Sequence, residues 1–362
     1  MQAPIPYSPS VETVAPDEAE TIRELVETLR GIMEVTAADY GHAVRSVHAK
    51  SHGIIKGELE VLADLPPELA QGMFARPGRH SAILRISTNP GDILHDSISV
   101  PRGIALKVLD VDGERLEGAE GRTQDFVMVN GPAFSAKDAA AFLKSLKLLA
   151  KTTDRAEWAK KALSSVLRGT ERVLEAVGGE SSTLKTLGGA PNVHPLGETY
   201  YTQTPFRYGN HVAKLSLVPI SKALTRHTKE IVDTRDRPDA LRDAVDAAML
   251  AGEGVWELQV QLCRDPEKMP IEDPTVLWDE DLSPFTPVAR LTARPQHGWT
   301  EARAKQIDDG MRFSVWTGLE AHRPLGGINR ARRAPYRASA DYRAEINRCP
   351  IHEPASVNLP SS

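Results

Sequence analysis

Two stretches of this chain carry side chains that could do chemistry together. "RSVHAK" (45–50) sets His48 between an arginine and a lysine, and an imidazole that titrates near neutrality can both take and return a proton. A lone histidine is ordinarily structural, so His48 gains weight only from its company. "GINRARRAPYRASADYR" (327–343) places Arg332 four residues before Tyr336 and Arg343 seven after it, a spacing that returns all three to one face of a helix. A phenol titrates near ~10 and ligates metals poorly while protonated, but a neighbouring guanidinium favours the phenolate. An arginine-backed tyrosinate suits the axial position of a ferric haem, because a hard anionic oxygen stabilises iron(III). Without such a role, an arginine-rich helix is most simply a solvated face.

The elements that must position these residues are readable from hydrophobic periodicity. Residues 1–16 are rich in proline and read as a loose arm, followed by a helix in which Ile22, Leu25, Val26, Leu29, Ile32 and Met33 recur at helical spacing. From about residue 53 the period changes to two, with Ile55, Leu59 and Val61 alternating with Lys56, Glu58 and Glu60. "SAILRIST" (81–88), "GIALKVLDVDG" (103–113), "QDFVMVN" (124–130), "HVAKLSLVPI" (211–220), "VWELQVQLCRD" (255–265) and "PVARLTARP" (287–295) read as further strands of a mainly antiparallel sheet. Residues 136–179 read as helices, with one apolar stripe at Phe142, Leu143, Leu146 and Leu149 and another at Trp158, Leu163 and Val166. The last helix is expected over about 326–348. No repeat or domain linker stands out.

Composition narrows the function classes. A net charge of -5 argues against a nucleic-acid surface or a polybasic membrane patch. Cys263 and Cys349 are the only cysteines and form no CxxC pair, so no zinc cluster or disulfide framework is expected. The N-terminus lacks the basic start and apolar stretch of a signal peptide, and no segment reaches 18 continuous apolar residues. A cytoplasmic protein without a membrane span is the expectation.

In the order and spacing of its motifs the chain resembles the catalase superfamily, in particular its short, catalase-related members. "RSVHAK" resembles the segment of the distal histidine, "LRIST" and "VPRGIALKV" the next two barrel strands, and "NGPAF" the segment whose phenylalanine packs against haem. "PTVLWDEDLSPFTPVARLTA" resembles the stretch that closes the barrel, and the arginine-rich helix that of the proximal tyrosine. The resemblance implies an α+β fold: an antiparallel β-barrel with flanking helices and a proximal haem-ligand helix. An arm and helix at 1–40, a haem-binding domain at 41–350 and a tail at 351–362 are expected.

Residue by residue, the resemblance makes His48 the distal acid/base and Tyr336 the iron ligand of a haem b, with Arg332 holding the phenolate. Arg45, Arg85 and Arg343 would pair with the propionates, Val47 and Phe134 would pack on the porphyrin, and Ser87 would fix the His48 ring. The implied activity is a haem peroxidase that reduces hydrogen peroxide or organic hydroperoxides through a ferryl state, with weak catalase activity. A small organic electron donor would be its partner, and a homo-oligomer is possible. Hydroperoxide rearrangement of the allene oxide synthase type and haem sensing without turnover remain as alternatives.

Two departures from the family pattern bear on these expectations. Long catalases carry a distal asparagine near "NNTP", whereas the matching stretch here reads as Gly121–Phe126, with Thr123, Arg122 or Gln124 as substitute donors and Thr123 the preferred one. Pro335, one residue before Tyr336, removes a helical hydrogen bond and predicts a kink. Tyr342 lacks an arginine four residues upstream and is set aside as a ligand, and no histidine is assigned to metal.

Overall fold

The computed structural model describes residues 2–150 and 191–360. Nine strands form one antiparallel sheet: β1 (Ser51–Val61), β2 (Gly78–Thr88), β3 (Arg102–Val108), β4 (Gln124–Val129), β5 (Tyr200–Tyr201), β6 (Phe206–Tyr208), β7 (His211–Pro219), β8 (Gly254–Leu262) and β9 (Thr286–Ala293). Eight of them close into a barrel in the order β5-β4-β3-β2-β1-β9-β8-β7, with β5 pairing back to β7, while β6 pairs with β7 outside the ring. The expected barrel is therefore present.

Alternation along the strands explains how the barrel is filled. Ile55 and Leu59 on β1, Leu84 and Ile86 on β2, Ile104 and Leu106 on β3, and Phe126 and Met128 on β4 all join one buried cluster with Leu215, Leu217, Leu258 and Val260. An eight-stranded barrel is just wide enough for side chains to fill it, and here the buried cluster occupies it. The other face of β2, β3 and β4 points outward and carries Arg85, Ser87, Gly103, Ala105, Val127 and Val129.

Helices cover that outer face. α1 (Glu18–Tyr40), α2 (Ala139–Ala150) and α4 (Gly327–Asn347) pack through Leu25, Leu29, Ile32, Leu143, Leu146, Ile328 and Ala331, with Val47 and Phe134 against the same cluster. α3 (Ala240–Ala251) lies on the barrel and buries Leu241, Val245, Ala248 and Met249. Among the described residues no helix is long and apolar enough to cross a membrane. The stripe at Trp158, Leu163 and Val166 lies outside the described residues.

Both ends of the described residues are docked. The arm that its prolines suggest to be loose packs Ile5, Tyr7 and Val11 against Cys263, Trp278 and Leu325, and the Ile5 amide donates to the Cys263 carbonyl at 2.8 Å. At the other end Val357 is buried with Ile54, Ile307 and Met311, and the Pro360 carbonyl accepts from Arg303 Nε at 2.8 Å. The tail thus braces Glu301–Ala304 and the wide helical turn Lys305–Asp309 that follows.

Candidate active site on the outer barrel wall

Strand register builds the site. Ser51, Ser87, Gly103, Val129 and Tyr201 are successive partners across β1, β2, β3, β4 and β5, so they form one row on the outer wall. Ser87 Oγ lies 3.1 Å from His48 Nδ1. Gly103 makes room for the ring: a Cβ there would stand 2.5 Å from His48 Cε1 and 2.8 Å from Nδ1. An isolated glycine within a strand often marks such a close approach. Gly103→Ala should therefore leave the barrel folded but displace the imidazole, and a crystal structure of the variant would show His48 turned away from Ser87 if this packing holds.

His48 itself has a left-handed backbone, with φ at 54°. It is held there by its amide, which donates to the Asn89 carbonyl at 2.8 Å, while the Ala49 amide donates to Pro90 at 3.0 Å. Burial, reinforced by the charges of Arg85, Arg332 and Arg45, lowers its pKa to about 3. The imidazole is therefore neutral at pH 7 and able to accept a proton.

Across from His48 stands Tyr336 on α4. Val47, His48 and Tyr336 line both a cavity of 660 Å³ and a smaller one of 70 Å³. The larger volume is within the roughly 300–1,000 Å³ of small-molecule and cofactor sites. Among the described residues the Tyr336 phenol has no hydrogen-bond partner. α4 runs unbroken from Gly327 to Asn347 across Pro335. Arg332, expected to back the phenol, does not reach it: its guanidinium donates to Thr204 Oγ1 at 3.3 Å and Asn329 Oδ1 at 3.0 Å and lies over the Phe134 ring. Helical spacing puts Arg332 and Tyr336 on one face, but a long side chain turns toward the better acceptors.

Four arginines line the smaller cavity, and Arg312 among them is paired with Glu353 and Glu120. Arg45 and Arg85 both donate to Asp308 Oδ1, at 2.9 and 2.6 Å, and Ser51 Oγ donates to Oδ2 at 2.6 Å. Arg343 donates to the Asp308 carbonyl and, at 3.2 Å, to that of Met311. Burial pulls the Asp308 carboxyl up, but Arg85 and Arg45 outweigh it and hold the group below the usual carboxylate range. Burial, against the pull of Asp308 and helped by Arg85, lowers Arg343 to about 10, and its Nε is buried without a partner.

Thr123 is not part of the site. It is fully buried and donates to Glu353 at 2.7 Å, and it lines neither cavity described above. It lies six positions before Val129, roughly 20 Å along extended chain. Register puts Val129, not Thr123, beside the residue that underlies His48. The neighbouring Asn130 is taken up by Glu198 at 2.7 Å and the Arg102 amide at 2.9 Å. Arg45, Val47, His48, Arg85, Ser87, Tyr336 and Arg343 do come together at the smaller cavity, and Phe134 and Arg332 line the larger one. Gly103, Val129 and Asp308 are the members that the sequence left unmarked.

These residues fit a haem. A phenol oxygen without a protein partner faces the same cavities as an imidazole held by Ser87. Arg45 and Arg85 share the Asp308 carboxylate and Arg343 donates to the Asp308 and Met311 carbonyls, a positive lining suited to carboxylates such as propionates. The surrounding Val47, Phe134 and Leu146 offer the apolar walls that a porphyrin needs. No group of three or more His, Cys, Asp or Glu among the described residues could hold a metal ion instead.

No protein-family model matches the sequence, and no curated protein does. Solved structures do. A fungal catalase matches over 89% of this chain at 18% identity and a TM-score of 0.59, catalase A from Saccharomyces cerevisiae over 85% at 19% and 0.56, and a bacterial catalase over 94% at 18% and 0.57. This chain covers 66%, 62% and 63% of those proteins in turn, so it spans less than two thirds of their length. The likeness is one of architecture, and the chain has the catalase fold.

Proposed function

We propose that this chain is a haem-dependent oxidoreductase that acts on peroxide, with peroxidase turnover exceeding disproportionation. The observation that carries this reading is the pairing of a Ser87-held, neutral His48 with the unpartnered Tyr336 phenol across shared cavities. The catalase fold supports it. Haem, when bound through Tyr336 and the arginine cluster, supplies an iron centre at which the peroxide O–O bond is cleaved.

The chain's own residues move the proton. Neutral His48 has a lone pair for the proton of a peroxide, and Ser87 at Nδ1 holds the ring so that Nε2 is the exchanging atom. The imidazolium so formed is a strong acid, because the same burial and the same arginines that lower its pKa drive the proton off again. It therefore returns the proton to the leaving oxygen. Val47 and Phe134 exclude water.

Val129 decides the balance between reactions. Oxidising a second hydrogen peroxide requires a defined pose, and Val129 offers no hydrogen bond beside His48. Apolar lining by Leu25, Leu29, Phe142 and Leu146 instead suits organic hydroperoxides and aromatic donors. The test is to load the full chain with haem and compare oxygen release from hydrogen peroxide with oxidation of a phenolic dye by hydrogen peroxide and by a bulky hydroperoxide. Dye oxidation should dominate, and Val129→Asn should raise oxygen release. Fast oxygen release with no dye oxidation by either oxidant would overturn the proposal.

A further inference from the structure

Three lysines are buried among the described residues, and two of them are paired. Lys50 meets Asp96 at 2.8 Å, and Lys107 meets Asp125 at 2.7 Å and Glu353 at 2.6 Å. Lys214 on β7 is 4% exposed, yet among the described residues no carboxylate reaches its ammonium. Its hydrogen bond to the Val276 carbonyl is long, at 3.4 Å, and the Trp278 ring lies 4.7 Å away. A buried ammonium without a counter-charge is costly. Burial lowers Lys214 to about 8, and the opposing pull of Cys263 and Asp273 recovers only part of the loss. About a tenth of this amine is thus neutral at pH 7, against under ~0.1% for an ordinary lysine.

Lys214 lines a third cavity, of 310 Å³. Pro132, Leu277, Trp278 and Phe285 give it apolar walls, and the exposed Asp279 and Glu280 stand at its rim. It adjoins the larger cavity through Pro132, Gln203 and Leu277, which line both, but neither His48 nor Tyr336 lines it. We propose that Lys214 is a nucleophile that captures small neutral aldehydes as imines in this cavity. The Nζ lone pair forms a bond to the carbonyl carbon, the C–O bond of the resulting carbinolamine breaks, and the two amine hydrogens leave with that oxygen as water. This chemistry is independent of haem. Desolvation in an apolar pocket is a general way to activate a lysine for it. Asp279 and Glu280 set the charge of the ligand, because two carboxylates on the cavity wall repel an anion and leave a neutral carbonyl compound as the match.

The test treats the full chain at pH 7 with benzaldehyde and cyanoborohydride, which reduces an imine to a stable secondary amine, and reads the modified lysines by peptide mass spectrometry. Lys214 should be labelled at least about tenfold faster than Lys268, whose side chain is 70% exposed, because burial leaves more of Lys214 neutral. Normalised to Lys268, 4-carboxybenzaldehyde should label Lys214 more slowly than benzaldehyde does. Glu280→Gln, at an exposed position, should narrow that gap. Labelling of Lys214 at or below the rate of Lys268 overturns the nucleophile, and equal or faster labelling by the carboxylated aldehyde overturns the neutral ligand. Lys214→Arg should remove the label at this position and leave that of Lys268 unchanged. Should that variant fail to fold, the comparison within the unaltered chain still decides.

Discussion

Tyr336→Phe is expected to abolish stable haem retention. The phenol lines both cavities together with His48 and has no hydrogen-bond partner among the described residues, and phenylalanine offers no oxygen. Altering residues that merely orient a metal ligand commonly weakens metal binding by ~10–100-fold, so loss of the ligand itself should exceed that range. The measurement is the absorption spectrum after gel filtration: a high-spin ferric spectrum of the tyrosinate type in the unaltered protein, and little or no haem in the variant. An unchanged spectrum would remove Tyr336 as the axial group. Because Arg332 bonds to Thr204 and Asn329, Arg332→Ala is not an equivalent test of the ligand.

His48→Asn should retain haem but slow its reaction with one equivalent of hydrogen peroxide by a factor of about 100 to 10,000, the range for a positioned general acid/base. Asparagine is the informative replacement because it tolerates a left-handed backbone and lacks a basic nitrogen. Rapid mixing reads the rate directly. Retention of the native rate would show that another group moves the proton, and loss of haem would show that His48 serves packing. Ser87→Ala would lie between these extremes, since it frees the ring without removing it.

The strands were legible because they alternate. Leu84 and Ile86 face the core while Arg85 and Ser87 face out, a pattern visible in "LRIST" alone. β5 and β6, with two and three residues, are too short for any period to show. α3 was legible but unread: Leu241, Val245, Ala248 and Met249 recur at helical spacing. His48, Tyr336 and the arginines stood out because their residue types are uncommon in their settings. Thr123 failed for a physical reason, since the partner of Gly103 is set by pairing between strands and a shift along β4 exchanges one donor for another. Asp308 carried no local signal at all. Its role exists only where residues 45, 51, 85 and 343 meet it in space.

The left-handed backbone at His48 sets folding against chemistry at a single position. That conformation costs most side chains about 1–2 kcal/mol, while glycine is exempt and asparagine nearly so. Judged only as a link in the chain, glycine would cost less than histidine at position 48, and the hydrogen bonds to the Asn89 and Pro90 carbonyls hold the segment in this conformation. Under the proposed function, heat resistance and peroxide turnover pull this residue in opposite directions. Improving one by random substitution is a route to losing the other.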